Sequence, residues 1–159
     1  WHWGRIGDGG IHKQARGSYS APPMVAIRRT SHAKYDLWYH FAWSTKYRKH
    51  IWVDDHRRDQ VKRLFVKIAE QYDMQIGEIE LMSDHIHFTL TAPPRIAPAR
   101  AAQILKSIST RAVLKYYPDL KRQYWGGEVW VAGYFVRSCG PGLTKESIEK
   151  YIQEQFEET

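Results

Sequence analysis

Asp84-His85-Ile86-His87-Phe88-Thr89-Leu90-Thr91 alternates polar and apolar side chains with a period of two, the pattern of a β-strand. Successive strand side chains point to opposite faces, so Ile86, Phe88 and Leu90 form a core face. His85, His87 and Thr89 share the other face. There two imidazoles stand side by side, close enough for one metal ion to touch both. Just upstream, residues 74–82 (MQIGEIELM) alternate as well, with an irregularity expected at Gly77. Ser83-Asp84 is a tight turn between the two runs, which predicts a β-hairpin.

Before the hairpin, residues 35–44 (YDLWYHFAWS) predict a long strand. Leu37, Tyr39, Phe41 and Trp43 lie on one face; Trp38, His40 and Ala42 lie on the other. The run 45–50 (TKYRKH) leaves that strand, and its basic and aromatic residues suit phosphate and base contacts as well as an ordinary charged loop. Asp54 or Asp55 caps a helix to about Tyr72, with Val61, Leu64, Phe65 and Ile68 on its apolar stripe.

After the hairpin, Pro98 fits the first position of a helix reaching about Tyr117. Ala101, Ile104, Leu105, Ile108, Ala112 and Leu114 supply its buried face, and Pro118 is expected to end it. Trp125-Gly126-Gly127 reads as a turn and residues 128–137 (EVWVAGYFVR) as a fourth strand. Gly140-Pro141-Gly142 reads as a hinge or linker. A last helix over 144–158, capped by Thr144, carries Ile148, Ile152 and Phe156 as its stripe. Tyr151 and Gln155, an i,i+4 pair, border that stripe.

The order β-α-β-β-α-β-α predicts an α+β fold. It is a ferredoxin-like, RRM-like antiparallel sheet with helices on one face, plus a C-terminal tyrosine-bearing helix. The free sheet face is expected to be exposed and to carry His85, His87 and Thr89, with His40 nearby. Residues 1–30, rich in Gly and poor in periodicity, are expected to form a flexible N-terminal extension. Residues 31–159 are expected to form one catalytic domain.

The chain is 159 residues long with 24 Lys+Arg against 17 Asp+Glu, a formal charge of +7, and a pI near 9.5. A basic surface attracts polyanions through counterion release. Seven Trp and ten Tyr accompany that excess; such rings either stack on unpaired bases or fill a core. Cys139 is the only cysteine, so an intrachain disulfide is excluded and a reducing cytoplasm is the expected compartment. No apolar run approaches the ~20 residues that span a bilayer, and the opening residues lack a signal-peptide core.

Two histidines on one strand face need one further ligand to hold a divalent ion with positions open for substrate. Taken alone, such a pair more often marks a solvated sheet face than a metal site. The carboxamide of Gln155 suits a hard ion, so the set favours Mg²⁺ or Mn²⁺ over structural Zn²⁺. Tyr151 is one tyrosine among ten, and core packing is its default role. Its place one turn before a candidate ligand, after a linker, singles it out. A phenol has a free pKa of about 10 and is a poor nucleophile unless a cation or base assists. Attack on a phosphodiester would leave a covalent phosphotyrosine that keeps the bond energy for rejoining.

The segments Tyr39-His40-Phe41-Ala42-Trp43-Ser44-Thr45-Lys46-Tyr47-Arg48, Asp84-His85-Ile86-His87, Trp125-Gly126-Gly127, Gly133-Tyr134-Phe135-Val136 and Tyr151-Ile152-Gln153-Glu154-Gln155 resemble the TnpA-type transposases. These are single-tyrosine enzymes of the HUH class (His, hydrophobic residue, His) from the smallest bacterial and archaeal insertion sequences. The resemblance runs from about residue 35 to 156, in motif order. It implies an enzyme that excises and inserts single-stranded DNA marked by hairpins at the element's ends. His85 and His87 match the histidine pair, Gln155 the third metal ligand and Tyr151 the nucleophile. The implied product is a 5′-phosphotyrosine with a free 3′-hydroxyl. A homodimer is implied, in which the tyrosine helix can complete the partner's site. The implied location is the prokaryotic cytosol, on the nucleoid when DNA is bound. Lys46, Arg48, Lys106 and Arg111 are the expected DNA contacts. Two rivals remain at this stage: a domesticated relative that processes chromosomal hairpin repeats, and a non-catalytic single-strand binder using an exposed sheet.

Overall fold

The computed structural model describes residues 27–139 of the chain. The Gly140-Pro141-Gly142 linker, the helix expected over 144–158 with Tyr151 and Gln155, and residues 1–26 lie outside the described residues. Elements follow in the order β1 (Arg28–Arg29), β2 (Lys34–Tyr35), β3 (Trp38–Ser44), α1 (Asp55–Gln71), β4 (Gln75–Leu81), β5 (His85–Thr91), α2 (Pro98–Tyr116), α3 (Pro118–Gln123) and β6 (Phe135–Cys139). The four long strands form one antiparallel sheet in the order β4-β5-β3-β6. That order, with helices α1 and α2 inserted after the first and third of these strands, is the ferredoxin-like arrangement expected from the sequence. β1 and β2 make a separate two-stranded ribbon that straddles residue 30. It is tied back to the sheet by Arg28, whose Nε donates to Gln75 Oε1 at 3.0 Å.

The helices form where caps and apolar spacing coincide. The Asp54 carboxylate accepts from the Arg57 N–H at 3.1 Å, satisfying one orphan donor of α1. Pro98 begins α2, where a missing N–H costs nothing. Both helices bury their stripes against Phe41 and Trp43 of β3 and Ile86, Phe88 and Leu90 of β5, all 1% exposed or less. Rings dominate this core: Trp43 meets Phe88 edge-on at 5.2 Å, and Phe65 of α1 meets Trp130 at 5.9 Å.

Three local expectations are corrected. Pro118 does not simply stop a helix; it opens the short α3, with Tyr117 as the joint. The fourth strand begins at Phe135, not near 128. Val129 and Trp130 are neighbours yet both are buried, which a strand with one buried face cannot achieve. The 128–134 stretch instead dips into the core at Val129 and Trp130 and then returns to the surface: Trp130 bridges Thr45 and its Nε1–H donates to Ser109 Oγ at 2.9 Å. The irregularity at Gly77 does occur, as a register shift between Ile76 and Ile79.

The second sheet face, expected to be open, is closed. His40, Ala42, Thr89 and Thr91 are 0–1% exposed and His87 is 5% exposed. Trp38 lies on this face against Gly77, where a Cβ would come within 2.9 Å of the Trp38 ring and 2.5 Å of Thr89 Oγ1. The Arg28 guanidinium stacks over the same indole at 4.9 Å, and Phe135 leans on His40 at 6.0 Å. Period-two alternation marks which residues share a face, but not what later covers it. No helix among the described residues is long and apolar enough to cross a membrane.

Candidate active site

Strand β5 lies between β4 and β3, and its register sets the chemistry of the polar face. Ser44 stands opposite His85, and Ala42 opposite His87. Those partners are small, so neither side chain directly opposite competes with an imidazole for space. The His85 and His87 rings are 6.0 Å apart and inclined by 23°, side by side as the His-x-His spacing demands. Glu80 of β4 is the cross-strand neighbour of His87 on its other flank.

Asp84, in the turn before β5, completes the local arrangement. Its Oδ1 lies 2.8 Å from His85 Nδ1, and the Arg48 guanidinium approaches its Oδ2 at 3.9 Å. A carboxylate on Nδ1 fixes the tautomer that presents the Nε2 lone pair, and it makes that nitrogen a better metal ligand. From the sequence Asp84 reads only as half of the Ser83-Asp84 turn. The available signal was an acid immediately before the first histidine.

His40 reaches the same face. Its ring meets His87 edge-on at 6.1 Å. Both of its ring nitrogens are buried without a hydrogen-bond partner. Burial, reinforced by nearby Arg137, holds its pKa down to about 4, so it is neutral at physiological pH. No group of three His, Cys, Asp or Glu side chains converges to hold a metal among the described residues. The paired imidazoles of His85 and His87, the first held by Asp84, fit a divalent ion that takes its remaining ligands from elsewhere, and Gln155 lies outside the described residues.

The four expected DNA-contact cations occupy different settings. Arg48 is half exposed beside Asp84, and Lys46 pairs with Glu128 at 3.1 Å. Arg111 is exposed and pairs with no carboxylate among the described residues. Lys106 is different. Its ammonium donates to the carbonyls of Val131, Ala132 and Gly133 at 2.7, 3.2 and 2.6 Å, and burial lowers its pKa to about 8. These three bonds make Lys106 a clamp on that loop. Lys106, Thr110 and Arg111 form one wall of a groove of about 420 Å³; Glu128, Trp130 and Tyr134 form the other.

A single-strand binder of the RNA-recognition kind needs an open sheet with exposed rings. Here that face is closed, and histidines and threonines stand where stacking rings would be. The rings of Trp38, Trp43, Trp52 and Trp130 are at most 4% exposed, so most described tryptophans serve the interior.

A family model described as "Transposase IS200 like" matches residues 33–155. ISDra2 transposase TnpA of Deinococcus radiodurans is 34% identical over 123 residues, which are 77% of this chain and 86% of that protein. The transposase for insertion sequence element IS200 of Salmonella typhimurium is 32% identical over 128 residues, 80% of this chain and 82% of that protein. Among solved structures, a Deinococcus radiodurans R1 protein described as a transposase aligns with a TM-score of 0.68 at 32% identity. That alignment covers 80% of this chain and 97% of the other.

Proposed function

The chain belongs to the IS200-like transposase family, and on that premise we propose that it cuts and rejoins single-stranded DNA at the hairpin-marked ends of an insertion sequence. The observation that carries this reading is the His85–His87 pair with Asp84 on Nδ1 of His85. The pair stands on a central strand, with His85 tied to a carboxylate and His87 only 5% exposed, which supports a ligand role over two histidines in solvent.

In this reading His85, His87 and Gln155 hold Mg²⁺ or Mn²⁺. A divalent ion held there would supply Lewis-acid charge beside the scissile phosphate. The Tyr151 hydroxyl attacks phosphorus and loses its proton. The bond from phosphorus to the 3′ oxygen breaks, and that oxygen leaves as a 3′-hydroxyl once protonated. The phosphate stays joined to Tyr151 as a 5′-phosphotyrosine. A 3′-hydroxyl from another end then attacks the phosphotyrosine and frees the tyrosine. One phosphodiester is broken for each one made, so no nucleotide cofactor is needed. Two subunits act together, with the Gly140-Pro141-Gly142 linker letting one subunit's Tyr151 helix serve either site.

The test uses a labelled single-stranded oligonucleotide that forms the terminal hairpin, with Mg²⁺ or Mn²⁺ present. His85→Ala and His87→Ala are expected to lose cleavage while keeping hairpin affinity, because phosphate and shape contacts lie elsewhere. Equal loss of binding and cleavage would make the pair structural and contradict the proposal.

A further inference from the structure

The turn after β3 holds an exposed ring in an unusual backbone. Tyr47 and Arg48 both lie in the left-handed region, at φ 64° and 53°, which bulky residues seldom adopt. Surrounding bonds hold the turn in that shape. The Lys46 N–H donates to Val129 O at 2.7 Å and the Arg48 N–H to Thr45 O at 2.9 Å. The Thr45 hydroxyl donates to Lys49 O at 2.7 Å, and the Tyr124 hydroxyl to Lys46 O at 3.0 Å. Strain kept in place by so many contacts marks functional surfaces more often than idle ones.

The strained turn displays Tyr47, whose side chain is 72% exposed. Beneath it lies the buried ring of Tyr124, parallel to within 3° at a centroid distance of 6.5 Å. The Lys49 ammonium sits 5.8 Å from one ring centre and 5.3 Å from the other. Trp125, next in the chain, is 90% exposed. It heads the Trp-Gly-Gly turn, closed by the Gly127 N–H donating to Tyr124 O at 2.8 Å, with Gly127 at φ +87°. The strained turn after β3 also carries Arg48 to within 3.9 Å of Asp84, the residue that orients His85.

We propose that Tyr47, backed by Tyr124 and flanked by Lys49, is the stacking platform for one unpaired base beside the scissile phosphodiester. The inference rests on the strand-transfer reading. An exposed ring with the Lys46 and Lys49 ammonium groups 5.5 and 5.8 Å from its centre fits a flat base attached to a phosphate, and it offers nothing to a base already stacked in a duplex. Stacking accepts any base, so the platform positions the strand without reading sequence. Arg48 and Asp84 place the held nucleotide next to the histidine pair.

The test measures binding of hairpin oligonucleotides without divalent metal, so that cleavage does not intervene. Single abasic sites are walked through the unpaired strand. Tyr47→Ala is expected to weaken binding of the intact strand about tenfold, and Tyr47→Phe to restore it. One abasic position should cost the wild type a similar factor, and the two losses should not add. Fully duplex DNA should bind both forms equally. If the wild type shows no preference for single strands over duplex, both this inference and the reading beneath it fail. If it prefers single strands and Tyr47→Ala binds them as tightly as the wild type, or loses duplex equally, the platform alone is overturned.

Discussion

Asp84 lies outside β5, yet its carboxylate reaches 2.8 Å to Nδ1 of His85. Carboxylates in this position typically contribute about 10- to 100-fold in metal affinity or activity. Asp84→Asn is therefore expected to shift the Mn²⁺ concentration for half-maximal cleavage upward by about that factor, with activity recovered at high metal and melting unchanged. An unchanged metal requirement would remove the orienting role. The histidine pair was legible because period two forces residues i and i+2 together. Asp84 was not, because on an ideal strand neighbours diverge and here the turn re-aims the side chain. Lys106 was legible only as a charge; its burial under residues 131–133 is tertiary. Lys106→Met should strand three carbonyls and cost about 2–4 kcal/mol, whereas exposed Arg111→Ala should cost under about 0.5 kcal/mol. Denaturant unfolding of the two variants separates these roles.

Elements with strong periodicity and caps were readable, and both long helices and the β4–β5 hairpin follow from them. The stretch 128–134 was not, because its alternation hides two adjacent buried residues, Val129 and Trp130. The closed sheet face escaped for a similar reason, since the burial of His40, Thr89 and Thr91 is set by tertiary packing and not by alternation along one strand. Gly77 illustrates packing acting on an element. Its missing Cβ admits Trp38 and Thr89, both carried on paired strands that have little room to retreat. Gly77→Ala should destabilise by about 1–3 kcal/mol, read as a lower denaturation midpoint at constant m-value. The α1–α3 joint gives a pH signature. The Tyr117 hydroxyl donates to Gln60 Oε1 at 2.5 Å, and burial pushes its phenol up to about 12, opposed by Arg57. An unfolded phenol ionises near 10, so this stability is fully present below pH ~10 and is lost as pH rises toward 12, by up to about 3 kcal/mol. Tyr117→Phe should lack that part of the alkaline loss; an identical alkaline profile in the two proteins would contradict it.

At the scale of the molecule, the fold class followed from element order, whereas the use of the aromatic residues did not. Composition alone allowed base stacking or core, and among the described tryptophans only Trp125 is largely exposed. The +7 charge is the long-range term. If Arg48, Lys49 and Arg111 each neutralise one phosphate, single-strand affinity should fall with salt at a log–log slope of about −2, and Arg111→Ala should make it shallower by about 0.7. A slope untouched by that change would place Arg111 off the DNA path. The central claim is that a phenol on the C-terminal helix attacks a phosphodiester gripped beside the His85–His87 strand. A hairpin oligonucleotide labelled on the 5′-phosphate side of the cut, incubated with Mn²⁺ and resolved by denaturing electrophoresis, tests it most directly. Wild type is predicted to carry the label as a covalent adduct at Tyr151 and Tyr151→Phe to carry none; an adduct of equal yield in both would contradict the account.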